Sequence, residues 1–342
     1  PPLRTPVPAA SHASPRPSPD PRRARLREAL ALQTLHALPA APLWPTSAAT
    51  FGDFDGVHLG HRALVAALAA ARARLALDGP LVVVTFDPHP LAFLAPQRAP
   101  PQVDSLEARL EWLARVGVDC AVVLPFDAEL AARTPHWFIE EALIGRLAAR
   151  ALVVGPDARF GHAGAGDVAL LRGIASGHGV DVTICEGVVL DGQRVSSSRI
   201  RAAIAAGAVV DAARLLGRPF CLRGEVVHGD GRGRQIGFPT ANIDTGAQVL
   251  PQAGVYACRL QSDLDGQVHD AVANIGVRPT FGGSSARVEA HLPGWQGDLY
   301  GRRAELHVIE RLRGEQRFAS IADLEAQIRL DIASTRRLLA AD

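Results

Sequence analysis

Between Leu43 and Gly217, short apolar runs alternate with stretches of helical spacing. The runs AATFGDF (48–54), LVVVTF (81–86), CAVVLPF (120–126), ALVVG (151–155) and VTICEGVVL (182–190) have the length and β-branched content of buried strands. Between them, SLEARLEWLARVG (105–117) places Leu106, Leu110 and Leu113 at three- and four-residue steps, which predicts an amphipathic helix. TPHWFIEEALIGRL (134–147) predicts another, with Thr134 as N-cap and Pro135 at the first helical position. Strands alternating with helices predict a parallel sheet covered on both faces, with ligands at the carboxyl ends of its strands.

The period changes near Phe220. From there to about Arg311 the chain consists of short β-like runs broken by glycine and proline, which predicts an antiparallel barrel or sandwich. The tail SIADLEAQIRLDIASTRRLLAA (320–341) predicts one long helix capped by Ser320, with Leu324, Ile328 and Ile332 along one face. Residues 1–28, rich in Pro, Ala, Ser and Arg, are read as a disordered extension. The expected division is residues 29–217 for an α/β unit and 218–342 for the second unit.

Composition removes several classes. The net charge is +1, so no broad basic field marks a nucleic-acid partner. No run reaches the ~18 apolar residues of a membrane span, and the N-terminal residues do not show the basic-then-apolar order of a signal peptide. A cytoplasmic protein of small-molecule substrates is expected, and a homo-oligomer is left open. Every one of the 36 basic residues is arginine, so a P-loop, which needs its lysine, is excluded. No G-x-G-x-x-G follows the first strand, which disfavours a dehydrogenase. Cys120, Cys185, Cys221 and Cys258 lie far apart without a C-x-x-C pair, and are expected to be buried structural thiols.

Two stretches carry chemistry. In FDGVHLGH (54–61) a helix starting near Gly60 directs free backbone N–H groups over the strand edge, where an anion is favoured. His58 and His61 are one turn apart and can reach one ligand. Zinc would need a third protein ligand, and no H-E-x-x-H or cysteine pair supplies it. Phosphate recognition is therefore favoured over metal binding, with exposed surface histidines as the alternative. In VSSSRIRAAIAAG (195–207) three serines and Arg199 or Arg201 open a second helix, a second anion-binding start. Two such sites at the strand ends of one unit point to a nucleoside triphosphate.

GDFDGVHLGHR (52–62), TFDPHP (85–90), VVGPDARFG (153–161) and SSSRIR (196–201) resemble the adenylyltransferase unit of the bifunctional prokaryotic riboflavin kinase/FAD synthetase family. GRGRQIGFPTANI (231–243), GVYAC (254–258), ANIGVRPTFGG (273–283), VEAHL (288–292) and GDLYG (297–301) resemble its riboflavin kinase unit. The resemblance covers about residues 33 to 340. It implies an N-terminal nucleotidyltransferase domain of Rossmann-like type and a C-terminal antiparallel β-barrel ending in a long helix. It also implies two reactions: riboflavin and ATP give FMN, and FMN and a second ATP give FAD and pyrophosphate.

By the same resemblance, Glu289 is the general base on the ribityl hydroxyl, and Thr240 and Asn242 hold Mg²⁺ and orient ATP. Alternation along a strand would place those two side chains on one side. Gly231 and Gly233 belong to a flap over phosphates, and Arg278 contacts flavin. In the first unit His58 and His61 are catalytic, and Gly52, Phe54 and Gly60 bind nucleotide. Ser197, Ser198 and Arg201 hold the leaving phosphates, and Asp157 and Phe160 contact flavin. The chain departs from the family at Asp53, where asparagine is usual, at Ala158 for phenylalanine, at Ser198 for threonine and at Gly294 for an acidic residue. Two rivals are an enzyme with one live activity and a flavin-binding regulator without turnover.

Overall fold

The structure is a computed structural model, and it describes residues 32–229, 231–280 and 283–340. The extension expected over residues 1–28 lies outside the described residues. Six parallel strands form the first sheet: β1 (Gln33–Leu35), β2 (Ser47–Phe51), β3 (Leu81–Asp87), β4 (Cys120–Pro125), β5 (Ala149–Val154) and β6 (Asp181–Ile184). Their order is β1-β4-β3-β2-β5-β6. The chain runs outward from β2 through β3 on one side and returns to β5 on the other. This switch point, at the carboxyl ends of β2 and β5, is where an open α/β sheet leaves a crevice. The helices α1 (Leu59–Arg74), α2 (Leu106–Arg115) and α3 (Val168–Gly177) cover the sheet, whose Val82, Val83, Val84 and Val122 are fully buried.

Two details depart from the sequence reading. The run 182–190 is not one strand: β6 stops at Ile184, and Val189–Leu190 (β7) pairs with Gln193–Arg194 (β8) as a separate hairpin. Gly187, at φ 82°, takes the left-handed backbone that turns the chain out of the sheet. The helix after Thr134 keeps its expected cap, since the Trp137 amide donates to Thr134 Oγ1 at 3.1 Å. It then widens into a π-helix over Phe138–Arg146.

After α4 (Ser197–Ala205) and α5 (Val209–Leu216), the antiparallel strands close into a barrel. They are β9 (Phe220–Val227), β10 (Thr240–Asp244), β11 (Gly254–Ser262), β12 (Val268–Thr280), β13 (Gly283–His291) and β14 (Arg303–Arg313). Closure leaves no open edge. The final helix α6 (Ile321–Leu339) begins at Ser320, whose Oγ accepts from the Asp323 amide at 3.2 Å, as its sequence predicts. One apolar core fills the barrel and continues into the first unit, joining Phe220, Leu222 and Tyr256 to Ile200, Ile204, Val209, Leu216 and Val103. Among the described residues no helix is long and apolar enough to cross a membrane.

Candidate functional site

The turn between β2 and α1 is strained. Phe54 (φ 52°) and Val57 (φ 36°) are buried, non-glycine residues with left-handed backbone. Each such residue costs on the order of 1–3 kcal/mol and persists only where its surroundings fix it. Asp55 supplies much of that restraint. Its buried carboxylate accepts from the Val103 and Asp104 amides at 3.0 Å and from Arg201 Nη2 at 2.8 Å. Ser197 Oγ donates to the Asp55 carbonyl at 2.8 Å. The two anion-binding helix starts of the sequence are thus tied together directly.

His58 caps α1, its Nδ1 accepting from the His61 amide at 3.3 Å, and the two imidazoles stack with centroids 3.7 Å apart. Gly60 makes room for this. A Cβ there would lie 3.1 Å from His58 Cε1 and 3.3 Å from the Val195 carbonyl. Burial lowers the His58 pKa to about 4, helped by the Arg218 and Arg194 charges and opposed by Asp55. Burial also holds His61 well below its ordinary value, with His58 and Arg109 adding to the effect. Both rings are neutral at pH 7. With Nδ1 as acceptor, neutral His58 carries its proton on Nε2 and presents a donor there.

A pH dependence follows. The unfolded chain protonates His58 below its ordinary 6.5, whereas the folded chain keeps it neutral to about 4. Stability is therefore complete above pH 6.5 and falls as pH drops, by about 3 kcal/mol at pH 4 for His58 alone. Urea midpoints should begin to fall near pH 6.5, above the carboxylate range. Flat midpoints down to about pH 5 would count against a buried neutral His58.

A cavity of about 890 Å³ opens at the switch point. Gly52, Phe54, His58, Gly60, His61, Ser197, Ser198, Arg201 and Asp157 all line it. Of the residues singled out in this unit, Phe160 does not. It is 6% exposed and packs edge-on against Phe51 in the core, while Ala158 and Arg159 face the cavity. Its ring packs with Phe51 and Phe138, and Phe51 itself lines the cavity, so Phe160 stands directly behind the wall. Arg199 also turns away, donating to the Leu190 and Gln193 carbonyls. The unusual Asp53 places its carboxylate 3.2 Å from His89 Nε2, a cavity residue that the sequence reading passed over. Arg194, likewise missed, lines the cavity and pairs with Asp157. Cys185 lines it too and is half-buried, unlike Cys120, Cys221 and Cys258.

The barrel carries a second cavity, of about 630 Å³. β10 pairs with β13 so that Thr240 faces His291 and Asn242 faces Glu289, and β12 sets Asn274 on the other side of Glu289. Ala241 and Ile243 point into the barrel core, so Thr240 and Asn242 share the opposite face. Thr240, Gly233, Asn274 and Glu289 line this cavity, and Thr240 also borders a smaller one of about 310 Å³. Asn242 is not on its wall but lies beneath Gly229, where a Cβ would come within 2.3 Å of its Nδ2. Glu289 is paired with Arg287 at 2.7 Å. Gly231 (φ 69°) is left-handed and off the wall, and a Cβ at Gly233 would meet the Phe238 carbonyl at 2.3 Å. The Arg278 side chain is outside the described residues. α6 closes the cavity with Leu324 and Ile328, and its buried Asp331 is held by Arg313 at 2.8 Å.

Away from both cavities, Cys221, Glu305 and His307 bring ligand atoms within 4.8 Å of one another. Arg223 already stands there, 3.6 Å from Glu305, and burial pushes the Cys221 thiol up to about 12. Both features oppose a cation.

Residues 41–199 match the family described as FAD synthetase, and residues 216–339 match the family described as Riboflavin kinase. The bifunctional riboflavin kinase/FMN adenylyltransferase of Escherichia coli (strain K12) is 42% identical over 287 residues, 84% of this chain and 91% of its own length. That of Pseudomonas fluorescens is 41% identical, over 85% of this chain and 93% of its own. A solved structure titled as a macrolide-efflux protein from Streptococcus pneumoniae superposes with a TM-score of 0.79 at 31% identity, over 89% of this chain and 98% of that one. On this similarity, which spans both halves and both cavities, the chain belongs to the bifunctional riboflavin kinase/FMN adenylyltransferase family.

Proposed function

We propose that the barrel phosphorylates riboflavin with ATP and that the sheet-edge cavity joins the resulting FMN to AMP from a second ATP, releasing pyrophosphate. The observation that carries this reading is the pair of separate cavities, one lined by His58, His61, Ser197, Ser198 and Arg201 and the other by Gly233, Thr240 and Glu289. The units are residues 29–217 and 218–342. The four cysteines are free, which is in keeping with a reducing cytoplasm.

In the adenylyl transfer the FMN phosphate attacks the α-phosphorus of ATP. A phosphate monoester is largely dianionic at neutral pH, with its second pKa near ~6, so no general base is required. The work is positioning and charge stabilisation. His58 Nε2–H, His61 and the first amides of α1 face one end of the cavity, and Ser197, Ser198 and Arg201 face the leaving phosphates. Because both rings are neutral, they act as hydrogen-bond donors and not as cations. Asp157 stands where flavin would meet the wall.

In the kinase, Glu289 accepts the proton of the flavin hydroxyl, and Thr240, on the wall shared by two cavities, stands between nucleotide and flavin. The Thr240 hydroxyl and the Asn242 amide oxygen offer the hard oxygen donors that suit Mg²⁺. That ion, when bound, neutralises phosphate charge. Gly231 and Gly233 leave their amides free to approach phosphates, and Arg278 is assigned to flavin.

Incubation with riboflavin, ATP and Mg²⁺ tests this. FMN should appear first and then convert to FAD, and EDTA should stop both steps. Appearance of neither product, or FAD without prior FMN, would overturn the reading.

A further inference from the structure

Arg218 lies between α5 and β9, inside the stretch that matches riboflavin kinase and beyond the one that matches FAD synthetase. Its side chain nevertheless turns back to the adenylyl-transfer loop. Nη2 donates to the Gly56 carbonyl at 3.0 Å and to Asp104 Oδ2 at 2.5 Å, and the guanidinium lies 4.2 Å over the Trp112 ring. The Arg218 and Asp104 side chains are only 8% and 3% exposed. Asp104 in turn donates its amide to Asp55, which holds Arg201.

Gly56 sits between the two strained residues, Phe54 and Val57. A Cβ at Gly56 would lie 3.3 Å from Leu216 Cδ2, and one at Gly217 would lie 2.7 Å from Leu59 Cδ2. The joint between the halves therefore grips the turn from both sides. Left-handed, β-branched Val57 would relax toward ordinary backbone if the Gly56 carbonyl were released. His58 and the first turn of α1 would move with it.

We propose that Arg218 is a positioning residue of the adenylyl-transfer site, contributed by the kinase half, which holds the turn in the conformation that presents His58 to the phosphates. The inference rests on reading the sheet-edge cavity as the adenylyl-transfer site. Arg218→Lys keeps a charge beside Asp104 but loses the planar guanidinium that sets Nη2 against both acceptors while its face stacks on Trp112. Arg218→Ala loses all three contacts and leaves Asp104 buried without its partner, so it is the variant more prone to fail in folding.

The test supplies FMN and ATP to measure FAD formation, and riboflavin and ATP to measure FMN formation, on the same preparations. Both variants should lower kcat for FAD formation by about tenfold or more, with KM for ATP changed much less, since a displaced donor is costlier in the transition state. FMN formation should stay within about twofold of the parent. Added methylguanidine should restore part of the lost rate to Arg218→Ala and none to Arg218→Lys. The control is Glu107→Gln, which removes the exposed contact between Glu107 and Arg303 across the same joint and should leave both rates unchanged. Parental FAD formation by Arg218→Lys, a parallel loss of FMN formation, or an equal loss in Glu107→Gln would each overturn the inference. A parent that makes no FAD at all would instead sink the reading beneath it.

Discussion

Changing His58 and His61 together to alanine is expected to abolish FAD formation from FMN while FMN formation from riboflavin continues at the parental rate. The cavity concentrates its donors at one point, with two stacked neutral rings over the start of α1. Loss of a single well-placed donor of this kind costs roughly 10²–10³ in rate. Loss of both removes the side-chain donors at that end of the cavity and leaves only backbone amides. His58 also caps α1, so the variant will lose about 1 kcal/mol of stability as well. The kinase reaction provides the internal control for that loss, because Glu289 and Thr240 sit on the barrel. Product chromatography with FMN and riboflavin supplied separately decides the matter. Equal loss of both reactions, or undiminished FAD, would contradict two distinct sites.

The second large effect is the mirror of the first. Glu289→Gln should lower FMN formation by roughly 10²–10⁴-fold and leave adenylylation of supplied FMN untouched. Glutamine keeps the shape of the side chain and its place between Asn242 and Asn274 on the sheet. What it removes is the proton acceptor. It also ends the ion pair with Arg287, but that arginine is about a third exposed, and such pairs contribute on the order of 1 kcal/mol or less. A large rate loss at nearly constant melting temperature would therefore report chemistry. Parental phosphorylation would remove Glu289 from the role of base.

Much of this was readable along the chain, because it depends on local spacing. Runs such as LVVVTF have the length and β-branched content of buried strands, and Thr134, Ser320 and the glycine-broken runs after Phe220 mark their elements by side-chain chemistry. His58, Gly60, His61, Ser197, Ser198 and Arg201 of the first cavity sit in two short stretches whose backbone direction is set by the helix each one opens. What could not be read depends on partners far away in sequence. Asp55 looks like an ordinary turn carboxylate until Arg201 and the Val103 amide arrive. Arg218 looks like a linker arginine until Gly56 and Asp104 meet it. Nothing along the chain announces that Phe160 packs edge-on against Phe51, one layer behind the first cavity. Asp331 interrupts an apolar helix face, and its burial is offset by Arg313 beneath it.

The apolar core that runs from α4 and α5 into the barrel bears on how such a chain could have arisen. Two finished proteins stitched end to end would meet across a wet, polar seam. Here Val103, Leu216 and Phe220 belong to one buried apolar cluster that continues across the seam, beside the buried Arg218–Asp104 pair. Neither half could be exchanged for a foreign counterpart unless the newcomer brought a matching face.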